Sequence, residues 1–461
     1  MMRATPQELI ERAISLSTTD GCAVIVRDVS RADLRWARTT LTTNGESTAL
    51  DITVIAFSRT ATGTATASIG RAAPDLDDLS ALVREAEAAA REAQDADDAF
   101  PLVSSEGIDP TWNEPAEPTS GAIFGTLAQR LGEAFAGNTA IEHFGYAEHV
   151  STTTWLGTSM GIRRRFVQPE GRLEMTGKSD GRTRSSWWGA ATTDFSDVDP
   201  ADGAAYLAKS LGWQARRVEI APGRHDAILT SSAVGDLMVD LWWSAVGRDA
   251  TEGRSVFSRP GGGTRIGDRI GIPGISLSSN PDEPGMPSAD FMATGTTSSF
   301  ASVFDNGMAL PRVDWIADGI LKNLITTRQF ADESGLALAA PADVVRMQVD
   351  SGFGSLEDLV ARTSRGLLVT CLWYNRLVDP QTLLLTGLTR DGVYEVRDGE
   401  IVGAAGNFRF NDSPVSILQR ITDSTTTNRT MPREFGDYAN RVAMPALAVS
   451  DFHFSTASEA L

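Results

Sequence analysis

A short apolar strand running directly into an apolar helix, within residues 226–258, constrains this chain more than any other stretch. Ala227 to Leu229 read as a strand, and Thr230, Ser231 and Ser232 supply side chains that cap a helix start. Val234, Leu237, Met238, Leu241, Trp242 and Ala245 recur at three- and four-residue spacing, which predicts a helix buried along one side; Gly247 is expected to end it. Such a unit holds side chains rigidly, so what it offers matters. It offers Asp236 and Asp240, one turn apart on one face, and no histidine.

A chain of 461 residues exceeds one ordinary core, and two domains are expected, at 1–223 and 224–461. A formal charge of -19 argues against direct nucleic-acid binding and against an anionic membrane surface. The two cysteines, Cys22 and Cys371, each sit in an apolar strand-like run, which predicts buried free thiols; with no CxxC pair, a structural zinc knuckle is excluded. Residues 1–16 are charged and amphipathic, without the apolar core of a signal peptide, and no apolar run reaches the length of a membrane span. These features predict a cytoplasmic protein.

In chain order, a capped helix at 5–16 precedes strands at 22–26, 34–37, 51–57 and 62–69 and a charged helix around 75–95. Residues 95–121, rich in proline and acid, read as a surface linker between two similar halves. The second half has a helix at 123–135, antiparallel strands from 140 to 191, and a helix from 202 to about 217. The remainder is glycine-, proline- and β-rich, and Asp398-Gly399 between apolar runs signals a tight hairpin. The expected fold is α+β: an N-terminal α/β domain of two similar helix-plus-antiparallel-strand halves, followed by a β-rich, barrel-like C-terminal domain.

Each chemical candidate has a plainer reading beside it. Asp236 and Asp240 could hold a divalent cation or act as an acid/base pair; the plainer expectation is a solvated acidic stripe, since nothing near them in sequence supplies a third ligand. His143 and His149, six apart in a predicted strand, could chelate, but a partly exposed pair is the simpler expectation. Arg163-Arg164-Arg165 reads as a loop or edge strand, and the 261–267 run GGGTRIG lacks the lysine and helix of a phosphate loop. Trp187, Trp188 and Trp242 are candidates to line a peptide groove, although neighbours in each tryptophan pair point apart.

The assembled pattern resembles the TldD/PmbA family, also known as modulators of DNA gyrase. The resemblance is carried by Gly253-Arg254-Ser255-Val256-Phe257-Ser258, Asp305-Asn306-Gly307, Asp318-Gly319-Ile320-Leu321, Thr326-Thr327-Arg328 with Ala331, and Ala443-Met444-Pro445-Ala446-Leu447-Ala448-Val449, with Asp51-Ile52-Thr53-Val54 near the start. In this family the TldD-type subunit carries HExxxH on the helix before the SVFS-like segment, and a cysteine near the C-terminus completes the zinc site. Counted back from Ser258, the three helix positions fall here on Met238, Val239 and Trp243, and no cysteine follows Cys371. The resemblance therefore implies a TldE/PmbA-like subunit with no catalytic or metal residues and no cofactor of its own. Zinc is expected in a TldD-type partner, with which it degrades or trims peptides or unfolded polypeptides; the chain alone could form a homodimer. The alternatives are a self-sufficient metal-dependent peptidase using Asp236 and Asp240, or a regulator or scaffold of a DNA gyrase-type enzyme.

Overall fold

The structure, a computed structural model, describes residues 4–458 except 39 and 106. The first three residues of the predicted amphipathic N-terminus and the last three of the chain lie outside the described residues.

The N-terminal part is one six-stranded antiparallel sheet fed by two equivalent runs of elements. In the first run, helix α1 (Pro6–Leu16) precedes strands β1 (Gly21–Ala37), β2 (Thr40–Arg59) and β3 (Thr64–Ala72), and helix α2 (Leu79–Glu92) closes it. In the second, helix α3 (Gly125–Ala136) precedes β4 (Glu142–Thr158), β5 (Arg163–Ser179) and β6 (Arg184–Thr192), and helix α4 (Pro200–Trp213) follows. The strand order β3-β2-β1-β4-β5-β6 joins the two runs through their first strands. The expected similarity of the halves is thus realised inside a single sheet.

Strand parity explains how that sheet is buried. In β1, Cys22, Val24, Val26, Ala32, Leu34 and Trp36 pack under the helices, whereas Ala23 and Ile25 join a cluster with Phe291, Val303 and Phe304 from the C-terminal part. Both faces of β1 are therefore apolar over 21–26. The strands are longer than predicted. Segments expected at 22–26 and 34–37 are one strand, as are those at 140–150 and 151–157, because cross-strand pairing carries the chain through polar residues that look like breaks. The expected surface linker at 95–121 is irregular but anchored: Trp112 is buried, and its carbonyl accepts the Trp155 indole N–H at 3.2 Å.

The C-terminal part holds two further sheets. One is six-stranded, in the order Ile320–Leu321, Val313–Ala317, Ile275–Ser279, Val345–Val349, Val442–Met444, Asn428–Thr430. In the other, β7 (Gly223–Leu229) lies between Arg365–Asp379 and Leu447–Ser458; Asn407–Asp412 and Leu384–Arg397 continue the sheet, and the last pairs back with Arg365–Asp379 to close a barrel. The expected antiparallel barrel is thus only part of the region, and it includes a parallel pairing of β7 with Arg365–Asp379. Helix α5 (Ser231–Trp243) leaves β7 and is wedged between the barrel and the second sheet, in the largest hydrophobic cluster of the molecule. The helix ends at Ser244, ahead of the expected stop; Gly247 instead begins a short helix, Gly247–Thr251. No helix among the described residues is long and apolar enough to cross a membrane.

Candidate functional site

α5 starts as its sequence dictates. Thr230 is the N-cap, and its hydroxyl accepts the Ala233 N–H at 3.4 Å. Downstream, however, the helix is buried nearly all round. Ala233, Val234, Leu237, Met238, Val239, Leu241 and Trp242 are all core residues. A one-sided apolar stripe understates this, because the barrel covers one flank of the helix and the second sheet the other.

A distant strap, residues 431–435, completes the enclosure. Ser232 Oγ donates to the Met431 carbonyl at 2.8 Å, and Pro432 sits over Gly235, where an added Cβ would meet its ring at 3.1 Å. Asp236 lies beneath the strap. Its Oδ1 accepts the N–H groups of Glu434 at 2.9 Å and Phe435 at 3.2 Å, and its Oδ2 accepts that of Arg433 at 3.2 Å. Burial pushes the Asp236 carboxyl well above the usual range, and these three donors pull against it. The expected solvated stripe is therefore wrong for Asp236. It is fully buried, because the strap supplies the donors that a buried carboxylate needs.

Asp240, one turn on, is treated differently. Its Oδ2 is buried without a hydrogen-bond partner. Burial first, then the nearby Glu434 charge, raises its pKa to about 7, against the pull of Arg376. Glu434 itself accepts the Tyr374 N–H at 2.9 Å and pairs with Arg376 at 3.2 Å. Trp243 ends the helix with its ring edge-on to Phe435, 5.0 Å between centroids.

The strap also ties α5 to the N-terminal sheet. The Arg433 guanidinium lies 4.8 Å from the ring centroids of both Trp187 and Trp373. It donates to Glu174 Oε2 at 3.1 Å, an oxygen that also accepts the Trp187 indole N–H at 3.0 Å; Tyr146 holds the other Glu174 oxygen at 2.6 Å. Cys371 packs beside Trp187 and Met431 and donates to the Arg390 carbonyl at 3.1 Å, its thiol pushed well up by burial. Cys22 is buried as well, with its thiol pushed up to about 12.

The three tryptophans do not share a groove. Trp187 faces the strap, Trp188 packs on the helix side of the sheet, and Trp242 lies in the α5 core with its indole nitrogen unpaired. His143 and His149 face the same side of β4 but are buried, not partly exposed. His143 stacks on Phe135, and both nitrogens of His149 are engaged, by Thr119 Oγ1 and the Thr193 carbonyl at 2.8 Å each. Burial lowers the pKa of both rings. Of the arginine triplet, Arg163 pairs with Glu11 and Arg165 with Glu114 and Glu117, all within or against β5. The glycine run at 261–263 is a left-handed turn with no helix after it.

The arginine sandwich and the strap escaped the sequence reading. Met431-Pro432-Arg433-Glu434-Phe435 has no periodicity, and nothing local says that it docks on a helix about 200 positions away; the one available hint is the proline flanked by charge.

A metal held on α5 would find one free carboxyl oxygen, on Asp240. Met238 and Val239 are sealed in the core, Trp243 offers no lone pair, and both oxygens of Asp236 are taken by backbone N–H groups. Among the described residues no three His, Cys, Asp or Glu side chains gather in metal-holding geometry. These residues do not fit the zinc site that the resemblance ascribes to the catalytic subunit.

Residues 222–456 match the family model described as the PmbA/TldA metallopeptidase C-terminal domain. No curated protein matches the chain. Among solved structures, TldE from Thermococcus kodakarensis superposes with a TM-score of 0.76 at 13% identity, covering 98% of this chain and 99% of that one. A Thermotoga maritima protein named for DNA-gyrase modulation gives a TM-score of 0.73 at 13% identity, covering 97% and 100%. One of similar name from Bacteroides thetaiotaomicron gives 0.76 at 11%, covering 98% of each. At these identities the likeness speaks for the fold.

Proposed function

The chain belongs to the TldD/PmbA family, and from that premise we propose that it is a non-catalytic, TldE/PmbA-like subunit that works beside a TldD-type metallopeptidase in degrading or trimming peptides. The observation that carries this reading is the content of α5. Where the family's catalytic helix bears HExxxH, this helix has Met238 and Val239 in the core and Trp243 packed on Phe435. The acid nearest that position, Asp236, serves as a structural acceptor for three strap N–H groups. Asp240 keeps one oxygen free, yet one carboxyl oxygen is far from the six or more that a hard cation gathers. In this reading the partner holds the zinc, and this chain contributes the packed counterpart of the chamber.

The test uses the full chain, alone and mixed with a TldD-type subunit. The expected results are no stoichiometric zinc in the isolated protein, no cleavage of an unfolded polypeptide by it, and cleavage on mixing that exceeds that of the partner alone. Chelator-sensitive cleavage by the isolated chain would overturn the reading.

A further inference from the structure

The underside of the N-terminal sheet faces the C-terminal part, and between them lies a cavity of about 310 Å³. Strand register sets its floor. Arg27 of β1 opposes Thr154 of β4, and Thr154 opposes Phe166 of β5, so the three stand in one row across the sheet. Thr152 and Gln168 form the next row, two residues along. The alternation that sends Ala23, Ile25 and Leu156 toward the C-terminal part sends these five side chains the same way. The 288–293 segment roofs the cavity, with Leu310 and Pro341 beside it. Phe291 and Leu310 are buried, so the walls near Phe166 are apolar.

Two polar groups in this enclosure are short of partners. The Arg27 guanidinium is half-buried, donates from Nη2 to the Ala293 carbonyl at 3.2 Å, and forms no ion pair among the described residues. Burial presses its pKa down, and the charge of Asp51, its cross-strand neighbour on β2, pulls the other way. Ser288 is 3% exposed, and its Oγ has no hydrogen-bond partner. The carbonyl of the preceding Pro287 accepts the Gln168 Nε2–H at 3.0 Å, which places Ser288 over the second row. A buried hydroxyl and a guanidinium with donors to spare are costly to leave unmet. The remaining charges are already matched: Arg441 donates to both Glu170 and Asp343. Glu170 opposes Val150, four residues along β4 from Thr154, roughly 13 Å away at strand spacing.

We propose that this cavity binds a small monocarboxylate with an apolar flank, the carboxylate on Arg27 and Thr154 and the flank against Phe166, Phe291 and Leu310. A guanidinium and a hydroxyl in one row give a carboxylate a charge-assisted bond and a neutral one. The volume lies at the small end for a ligand site and suits an acid of one or two residues' size. The charge count limits the anion. Arg27 and Arg441 are offset by Glu170 and Asp343, so the lining sums to zero and disfavours the double charge of a phosphate monoester. The unpaired Ser288 hydroxyl offers a place for one further polar atom of the ligand. The C-terminal residue of a peptide and a free branched-chain acid share this chemistry. The site does not rest on the peptidase-subunit reading, since it concerns equilibrium binding to this chain alone.

The test is isothermal titration calorimetry of the full chain, without a partner, using N-acetyl-leucine, isovalerate and N-acetyl-leucine amide. The expected result is saturable binding of at least one of the two acids, with a Kd of about 1 mM or tighter, and binding of the amide weaker by roughly tenfold or more. Tighter binding of N-acetyl-leucine identifies a peptide C-terminus as the source, and tighter binding of isovalerate a free acid; either order supports the site. Arg27→Gln is expected to weaken the preferred acid roughly tenfold or more while leaving the circular dichroism spectrum unchanged. Thr154→Val, nearly isosteric and well suited to a strand, should weaken it roughly threefold. If Arg27→Gln disturbs folding, Thr154→Val decides. No saturable binding of either acid, an amide bound as tightly as its acid, or folded variants that bind like the wild type would each overturn the proposal.

Discussion

Two successive turns of α5 handle the same side chain in opposite ways. On the first, Asp236 is fully buried and both its oxygens accept from backbone N–H groups of the strap, three in all. On the next, Asp240 sits beside the Glu434–Arg376 pair with one oxygen unsatisfied and its pKa raised to about 7. The difference teaches that a buried carboxylate is tolerated according to the donors brought to it, not the helix it stands on. One turn is a lock between helix and strap. The other holds an acid that the fold accommodates without rewarding.

The harshest way to break this comparison is to rebuild the helix as a metal site. Met238→His, Val239→Glu and Trp243→His together place polar groups in a dry core without partners. The expected loss is roughly 5 kcal/mol or more, comparable to a whole domain's stability, and would appear as a collapsed thermal transition. Asp236→Ala comes next. It strands three buried N–H donors and should cost about 3–5 kcal/mol in denaturant unfolding, with Asp236→Asn milder because an amide oxygen remains. Arg433→Ala should cost about 2 kcal/mol, since it removes a cation from two tryptophan faces and leaves Glu174 short of its partner; altered tryptophan fluorescence should accompany it.

Asp240→Asn sharpens the comparison from the opposite side. The folded pKa of about 7 lies above the ordinary carboxyl value of 3.8, so between roughly pH 4 and pH 7 the native state holds a proton that the unfolded chain has released. Stability from this group therefore declines as pH rises through that window. The variant should leave stability at pH 4 unchanged and raise it by about 2 kcal/mol above pH 7, after allowance for partial exposure. A pH profile of chemical denaturation checks both the sign and the window.

What the sequence disclosed was local chemistry. The Thr5–Glu8 capping box formed as its spacing requires, and Asp398-Gly399 makes its hairpin with both residues at positive φ, 51° and 82°. The burial of both cysteines followed from their apolar neighbours. That Met, Val and Trp stand at 238, 239 and 243 was visible because it is a matter of residue identity. What stayed hidden depends on contacts between distant segments. Asp236 looked solvated because its donors lie at 433–435, and the β4 histidines looked exposed because the covering helix and the 119 and 193 segments come from elsewhere in the chain. Gly247 looked like a stop because glycine favours the position just past a helix; here it opens the next helix because a distant segment presses on it, and an added Cβ would meet the Ile325 carbonyl at 3.0 Å.

The barrel has a temporal consequence. Its strand Leu447–Ser458 lies between β7 and Asn407–Asp412, so the circle cannot close before that strand docks. Until it does, Leu229 lacks its partner Leu447, and the helix that follows β7 has no finished wall to lean on. In that interval β7 and Asn407–Asp412 each carry an unpaired edge, where stray pairing competes with folding. Closure by segments so distant in sequence is expected to make this half of the molecule the slower to fold.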